Sequence, residues 1–145
     1  MGYYEERARE LHRNKYNCAQ AVAVAFADVA GMDEATALKA SSGFGGGFGK
    51  LHETCGAVSG MIMAAGLIYG IDHIDDDVKN KVDYPRVREL VEKFKEINGS
   101  VVCKELLGVD GCTRTREANK TCNDMVGDAA KILEEYIAEH PVTKE

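Results

Sequence analysis

The sequence predicts an all-α fold, a compact single-domain bundle of about five to seven helices with a glycine-rich loop leading into a central buried helix. Three observations carry this. Apolar residues recur three and four positions apart along most of the 145-residue chain. Capping residues precede those runs and glycines follow them. No segment alternates apolar and polar side chains over the length of a strand. A chain of this size buries roughly two-thirds of its unfolded surface, so neither a disulfide nor a metal is needed merely to hold it together.

In chain order, residues 3–14 alternate charges with Ala8 and Leu11 at helical spacing and read as an amphipathic opening helix. Asn17 followed by Gln20 makes a capping box ahead of Ala21, Val22, Ala25, Phe26 and Val29, which puts Cys18 at a first helical position. Gly31 is the expected stop, and Asp33 caps a short helix through Ala40. Glycines at 43, 45, 46, 47 and 49 disfavour regular structure, so the backbone there must turn sharply or approach something closely. Residues 54–71 carry no charge and are small and apolar, as in a helix buried on most faces. On it Gly56, Gly60 and Ala64 form a stripe that admits another backbone close to Cys55.

The polar run 72–81 reads as a connection, and its three aspartates, Asp75, Asp76 and Asp77, lack the glycine and distal glutamate of a calcium loop. Pro85 suits an early helical position, with Val87, Leu90, Val91, Phe94 and Ile97 as the core stripe and Asn98–Gly99 as the stop. Ser100 is the expected cap of a short helix carrying Cys103 and closed by Gly108. Residues 109–120 read as loop. Thr121 with Asp124 then opens a last helix, with Cys122 at its first position and Met125, Ala129, Ile132, Leu133, Tyr136 and Ile137 on its inner face.

The formal net charge of -6, with no basic tract, argues against nucleic acid or an anionic membrane as the main partner. A protein or small-molecule redox partner is the expectation. The charged N-terminus has no apolar signal core, and 54–71 is short and glycine-rich for a membrane span, so the expected location is cytoplasmic.

Five cysteines, at 18, 55, 103, 112 and 122, have no CxxC spacing, which removes a thioredoxin-type motif and a zinc ribbon from consideration. Cys18, Cys55, Cys103 and Cys122 each fall at a predicted helix start, where free N–H groups and the positive dipole end favour a thiolate. Filler cysteines have no reason to prefer such places; Cys112 lacks one. The glycine run fits neither a Walker loop, since Phe44 and Leu51 occupy the required positions, nor a dinucleotide fingerprint. It is better read as backbone folded over a thiol, disulfide or cofactor, with Gly45, Gly46, Gly47 and Gly56 nearest. His52 stands close enough in sequence to Cys55 to be considered as its base, whereas His12, His73 and His140 have no partner that sequence identifies.

Asn17-Cys18-Ala19-Gln20, the glycine run ending in Cys55-Gly56-Ala57-Val58-Ser59-Gly60, Cys103 to Gly108, and Cys122 together resemble the bacterial family of redox-active proteins named C_GCAxxG_C_C after its cysteine pattern. The order around the second cysteine departs from the written name, being Cys-Gly-Ala here. The resemblance implies an all-helical fold and cysteine redox activity, and a similar domain associated with iron–sulfur binding keeps such a cluster in view as a cofactor. The functional expectation is therefore a thiol redox protein, a possible thiol–disulfide oxidoreductase, with Cys55 as the central sulfur and Cys18, Cys103 and Cys122 as its partners. The alternatives are metal or iron–sulfur ligation by the same four cysteines, and a helical interaction module in which they are incidental. The small-residue stripe would also suit a homodimer seam.

Overall fold

A computed structural model describes residues 1–142. The fold is all-α, with eight helices among the described residues: α1 (Tyr3–Arg13), α2 (Cys18–Ala25), α3 (Ala27–Ala30), α4 (Glu34–Ser41), α5 (Gly56–Tyr69), α6 (Tyr84–Asn98), α7 (Cys103–Leu107) and α8 (Cys122–Glu139). The extra helix comes from a break at Phe26, which divides the expected 17–31 helix into α2 and α3. A π turn over Lys79–Asp83 feeds α6 from the connection that begins at Gly70.

Local signals set the ends. The Asn17/Gln20 and Thr121/Asp124 capping boxes are both formed, and Asp33 accepts from the Thr36 N–H. Gly31, Gly99 and Gly108 close α3, α6 and α7 in left-handed conformations that a Cβ would disfavour. Ser100 does not cap α7 as expected. The helix begins two residues later, after Val102, and the Ser100 hydroxyl instead accepts from the Val102 N–H and donates to Glu105.

α1 lies along α8, α2 lies along α5, and α8 also touches α2, α5 and α6. Phe26, Met61, Leu90, Phe94, Val126 and Leu133 are fully enclosed where these helices meet, each contributing about 1.5–3 kcal/mol relative to exposure. Ile97, expected on the core stripe of α6, is 54% exposed, because the helix turns that position outward as it ends. The α2–α5 crossing is as close as the small-residue stripe allows. A Cβ on Gly60 would sit 2.6 Å from the Ala19 carbonyl oxygen, and one on Gly56 would meet Cys18 Cβ at 3.1 Å. The stripe is thus occupied within the chain, and Cys18 is brought against the start of α5.

Arg9 ties α1 to the beginning of α8, pairing with Glu5 at 3.2 Å and Asp124 at 2.9 Å. Gly127 leaves the space that the guanidinium fills. No helix among the described residues is long and apolar enough to cross a membrane.

Candidate functional site

Thr54 and Val102 form an isolated antiparallel bridge. The Cys55 N–H donates to Val101 O at 2.7 Å, the Cys103 N–H to Glu53 O, and the Lys104 N–H to His52 O at 2.9 Å. This short ladder sets the starts of α5 and α7 side by side. Because α2 crosses α5 at Gly56, and α8 packs on α2, the starts of all four helices converge.

A cavity of about 360 Å³ opens there. Cys18, Cys55, Cys103 and Cys122 all line it, while Leu106, Leu107 and Met125 form apolar wall. Gly46, Gly47 and Gly56 contribute backbone, as expected of the glycine run; Gly45 does not, packing instead on the side chain of Asn17. Cys112 is outside it. All five cysteines are free thiols. Cys18, Cys103 and Cys122 are the first residues of α2, α7 and α8, and Cys55 is the residue just before α5.

Position at a helix start does not by itself produce a thiolate, and the sulfurs differ according to burial and neighbours. A hydrogen bond from Cys18, and then one from Arg116 Nη1 at 3.7 Å, hold Cys122 well below the ordinary thiol range against the opposing effect of burial. Donating that bond to Cys122, together with burial, pushes Cys18 far up. Burial raises Cys55 to about 11 although the N–H groups of Ala57 and Val58 face its sulfur. Burial also raises Cys103, with the Cys122 charge adding to it and Arg116 opposing. Of the four sulfurs, Cys122 is the one whose surroundings favour the thiolate, while those of Cys18, Cys55 and Cys103 favour the thiol.

His12 completes the chain of contacts. Its Nε2 lies 3.8 Å from Cys18 Sγ and its Nδ1 lies 3.1 Å from Asn123 Nδ2. The Asn123 amide also donates to Arg9 O at 3.0 Å and accepts from Arg9 Nη1. A carbonyl oxygen can only accept, so the NH2 group faces Arg9 O and His12, and the His12 Nδ1 is the acceptor. Burial lowers the His12 pKa, which favours the neutral ring with its proton on Nε2, directed at Cys18. His52 also lines the cavity, but its Nδ1 sits 3.5 Å from Asp110 and no hydrogen bond joins it to Cys55 among the described residues.

His12, Arg116 and Lys50 are members that sequence reasoning missed; of these, His12 and Arg116 touch a cysteine. Each stands six residues before the cysteine it contacts, across a turn, and neither periodicity nor capping signals such a pair. Among the described residues no group of three or more His, Cys, Asp or Glu side chains is placed to hold a metal ion.

The fold and the cavity define a helical cysteine protein, with thiols from four separate helix starts lining one recess. The chain belongs to the family described as "putative redox-active protein (C_GCAxxG_C_C)", which it matches over residues 16–136. That name indicates redox activity as its class of function. No curated protein and no solved structure matches the chain.

Proposed function

We propose that the cavity is a thiol–disulfide exchange site in which Cys122 attacks and Cys18 resolves. The observation that carries this reading is that Cys18 and Cys122, each the first residue of its helix, line one cavity, with Arg116 Nη1 donating to Cys122 Sγ at 3.7 Å; these surroundings lower the pKa of Cys122 and raise that of Cys18. The Cys122 thiolate attacks one sulfur of a substrate disulfide, breaking its S–S bond and forming a mixed disulfide as the first thiolate leaves. That leaving thiolate takes the Cys18 proton. Cys18 then attacks the Cys122 sulfur, forming a Cys18–Cys122 disulfide and expelling the second thiolate. The substrate disulfide gains two electrons and the protein pair loses two; the reverse sequence oxidises a dithiol.

This reading moves the central role from Cys55 to Cys122, because Cys55 is 6% exposed and its thiol is raised by burial. Cys55 and Cys103 remain within the same cavity as a second set of thiols. The test is reaction of the reduced protein with a small disulfide, followed by peptide mapping. Cys122→Ser should abolish fast exchange, Cys18→Ser should trap a mixed disulfide on Cys122, and Cys112→Ser should behave as wild type. Exchange that survives Cys122→Ser would overturn the assignment.

Iron–sulfur ligation is the second reading, supported by four cysteines lining one recess, although among the described residues no three ligand side chains are placed to hold a metal ion. Anaerobic purification with iron and sulfide analysis separates the two: stoichiometric iron and sulfide support the cluster, and colourless protein with cycling thiols supports exchange. A cytoplasmic location fits either chemistry, since free thiols persist in a reducing compartment.

A further inference from the structure

Resting on the exchange reading, we infer that the preferred substrate is a small disulfide bearing carboxylates. The chain as a whole is acidic, with 24 Asp and Glu against 18 Lys and Arg. The cavity reverses that balance: none of its lining residues is Asp or Glu, while Lys50 and Arg116 both line it. A low-dielectric recess whose lining carries more positive than negative charge concentrates anionic ligands: the two cations outnumber the one Cys122 thiolate. The apolar wall removes competing water, and about 360 Å³ lies in the lower part of the range for small-molecule sites, too small for a folded partner to enter.

The backbone gives independent support. Lys50 and His52 adopt left-handed conformations, φ 67° and 60°, that side-chain-bearing residues ordinarily avoid. Gly46 makes room for the lysine, since a Cβ there would lie 2.8 Å from Lys50 Cγ. Glycine would meet the conformational demand at 50 and 52 without strain, as it does at 49. Lys15, Phe48 and Asp110 are also left-handed without lining the cavity, so the strain supports a side-chain role only where it coincides with the lining, at 50 and 52. Arg116 donates from Nη1 to Cys122, but its buried Nε has no hydrogen-bond partner, so Arg116 and Lys50 are the two cations that can meet a substrate carboxylate.

The experiment uses the full chain, reduced and held without oxygen, with three disulfides of similar size: dithiodiglycolate (anionic), bis(2-hydroxyethyl) disulfide (neutral) and cystamine (cationic). The second-order rate of protein oxidation by each is divided by its rate with dithiothreitol, which removes differences in intrinsic reactivity. The expected order is anionic, neutral, cationic, with about a tenfold or larger gap between first and last at low salt. The gap narrows as salt is added, falls severalfold in Lys50→Gln and falls further in Lys50→Glu. Equal normalised rates, or cystamine reacting fastest, overturn the substrate inference and leave thiol exchange standing. Failure of all three to react faster than with dithiothreitol overturns both.

Discussion

Thr54 pairs with Val102 across a two-residue antiparallel bridge, and through it the residues flanking Cys55 and Cys103 are fixed to one another by backbone hydrogen bonds. Ser100 holds the Val102 side of this bridge: it is buried, accepts from the Val102 N–H at 3.0 Å and donates to Glu105 at 2.8 Å. Ser100→Ala leaves a buried N–H and a carboxylate oxygen without a partner, and should cost about 1–3 kcal/mol in urea unfolding. Ser100→Thr, which keeps the hydroxyl, should cost less. Equal losses in the two variants would mean that packing, and not the hydroxyl, matters at this position.

The alkylation rate of Cys122 should report its environment directly. Because its pKa is depressed in the folded protein, the thiolate is populated through neutral pH and lost only as the pH falls through the lowered value. Iodoacetamide labelling, read by peptide mapping, should therefore stay near its plateau at pH 7 and decline on acidification. Arg116→Gln removes a hydrogen bond and a positive charge and moves the midpoint up; a rise of about one pKa unit should slow labelling by up to about tenfold below the midpoint, where the thiolate is the minor form, while changing it little at pH 7. Cys18→Ala, which removes the larger contribution, should shift the midpoint further than Arg116→Gln.

Two glycines of α5 should respond in opposite directions to the same substitution. Gly60→Ala drives a methyl group into the Ala19 carbonyl and should destabilise by about 1–3 kcal/mol. Gly66 has open space where a methyl group would go, with ordinary helical backbone, so Gly66→Ala should stabilise by about 0.5–1 kcal/mol. Paired thermal or urea melts decide it; destabilisation by both would point to a requirement for flexibility along the whole helix.

The glycine loop offers a test of conformation free of steric crowding. Gly49 and Gly43 both have open space where a Cβ would go, but only Gly49 has positive φ, at 59°. Gly49→Ala should cost about 1–2 kcal/mol while Gly43→Ala is neutral or slightly stabilising. Matching effects would contradict the left-handed backbone at 49.

Lys120 anchors the loop that carries Arg116. Its Nζ lies 2.6 Å from Asp128 Oδ2 and donates to the Asn98 side-chain Oδ1 at 2.6 Å, with both charged side chains only 18% exposed. Lys120→Met leaves the Asp128 carboxylate with the Asn98 amide as its remaining partner, and should cost about 1–3 kcal/mol, less than a fully buried pair because solvent still reaches it. It should also slow Cys122 labelling if the loop is what holds Arg116 in place. Unchanged labelling in a destabilised Lys120→Met would separate the anchor from the site.

Helix ends were the part of this fold most open to sequence reading, because the signals are local. Asn17, Asp33 and Thr121 cap, and Gly31, Gly99 and Gly108 stop, each through atoms within a few residues. The break at Phe26 was hidden, since its neighbours keep the apolar pattern of a continuous helix. The convergence of the cysteines on one cavity could be suspected from their shared placement at helix starts. Their unequal protonation could not, because it depends on Arg116 and His12 reaching across turns and on burial that only the packed structure determines. Likewise, the run of glycines announced an unusual backbone, but nothing local showed that Lys50 and His52 would share its left-handed conformation.

Cys18 opens the second helix and Cys122 opens the last, so a bond between them would cinch most of the polypeptide into a single ring. By the chain-entropy argument, closing a ring of about 100 residues removes on the order of 4–5 kcal/mol of disorder from the unfolded chain. Electron transfer at this pair would thereby be coupled to durability: the oxidised protein should survive heating that unravels the reduced one.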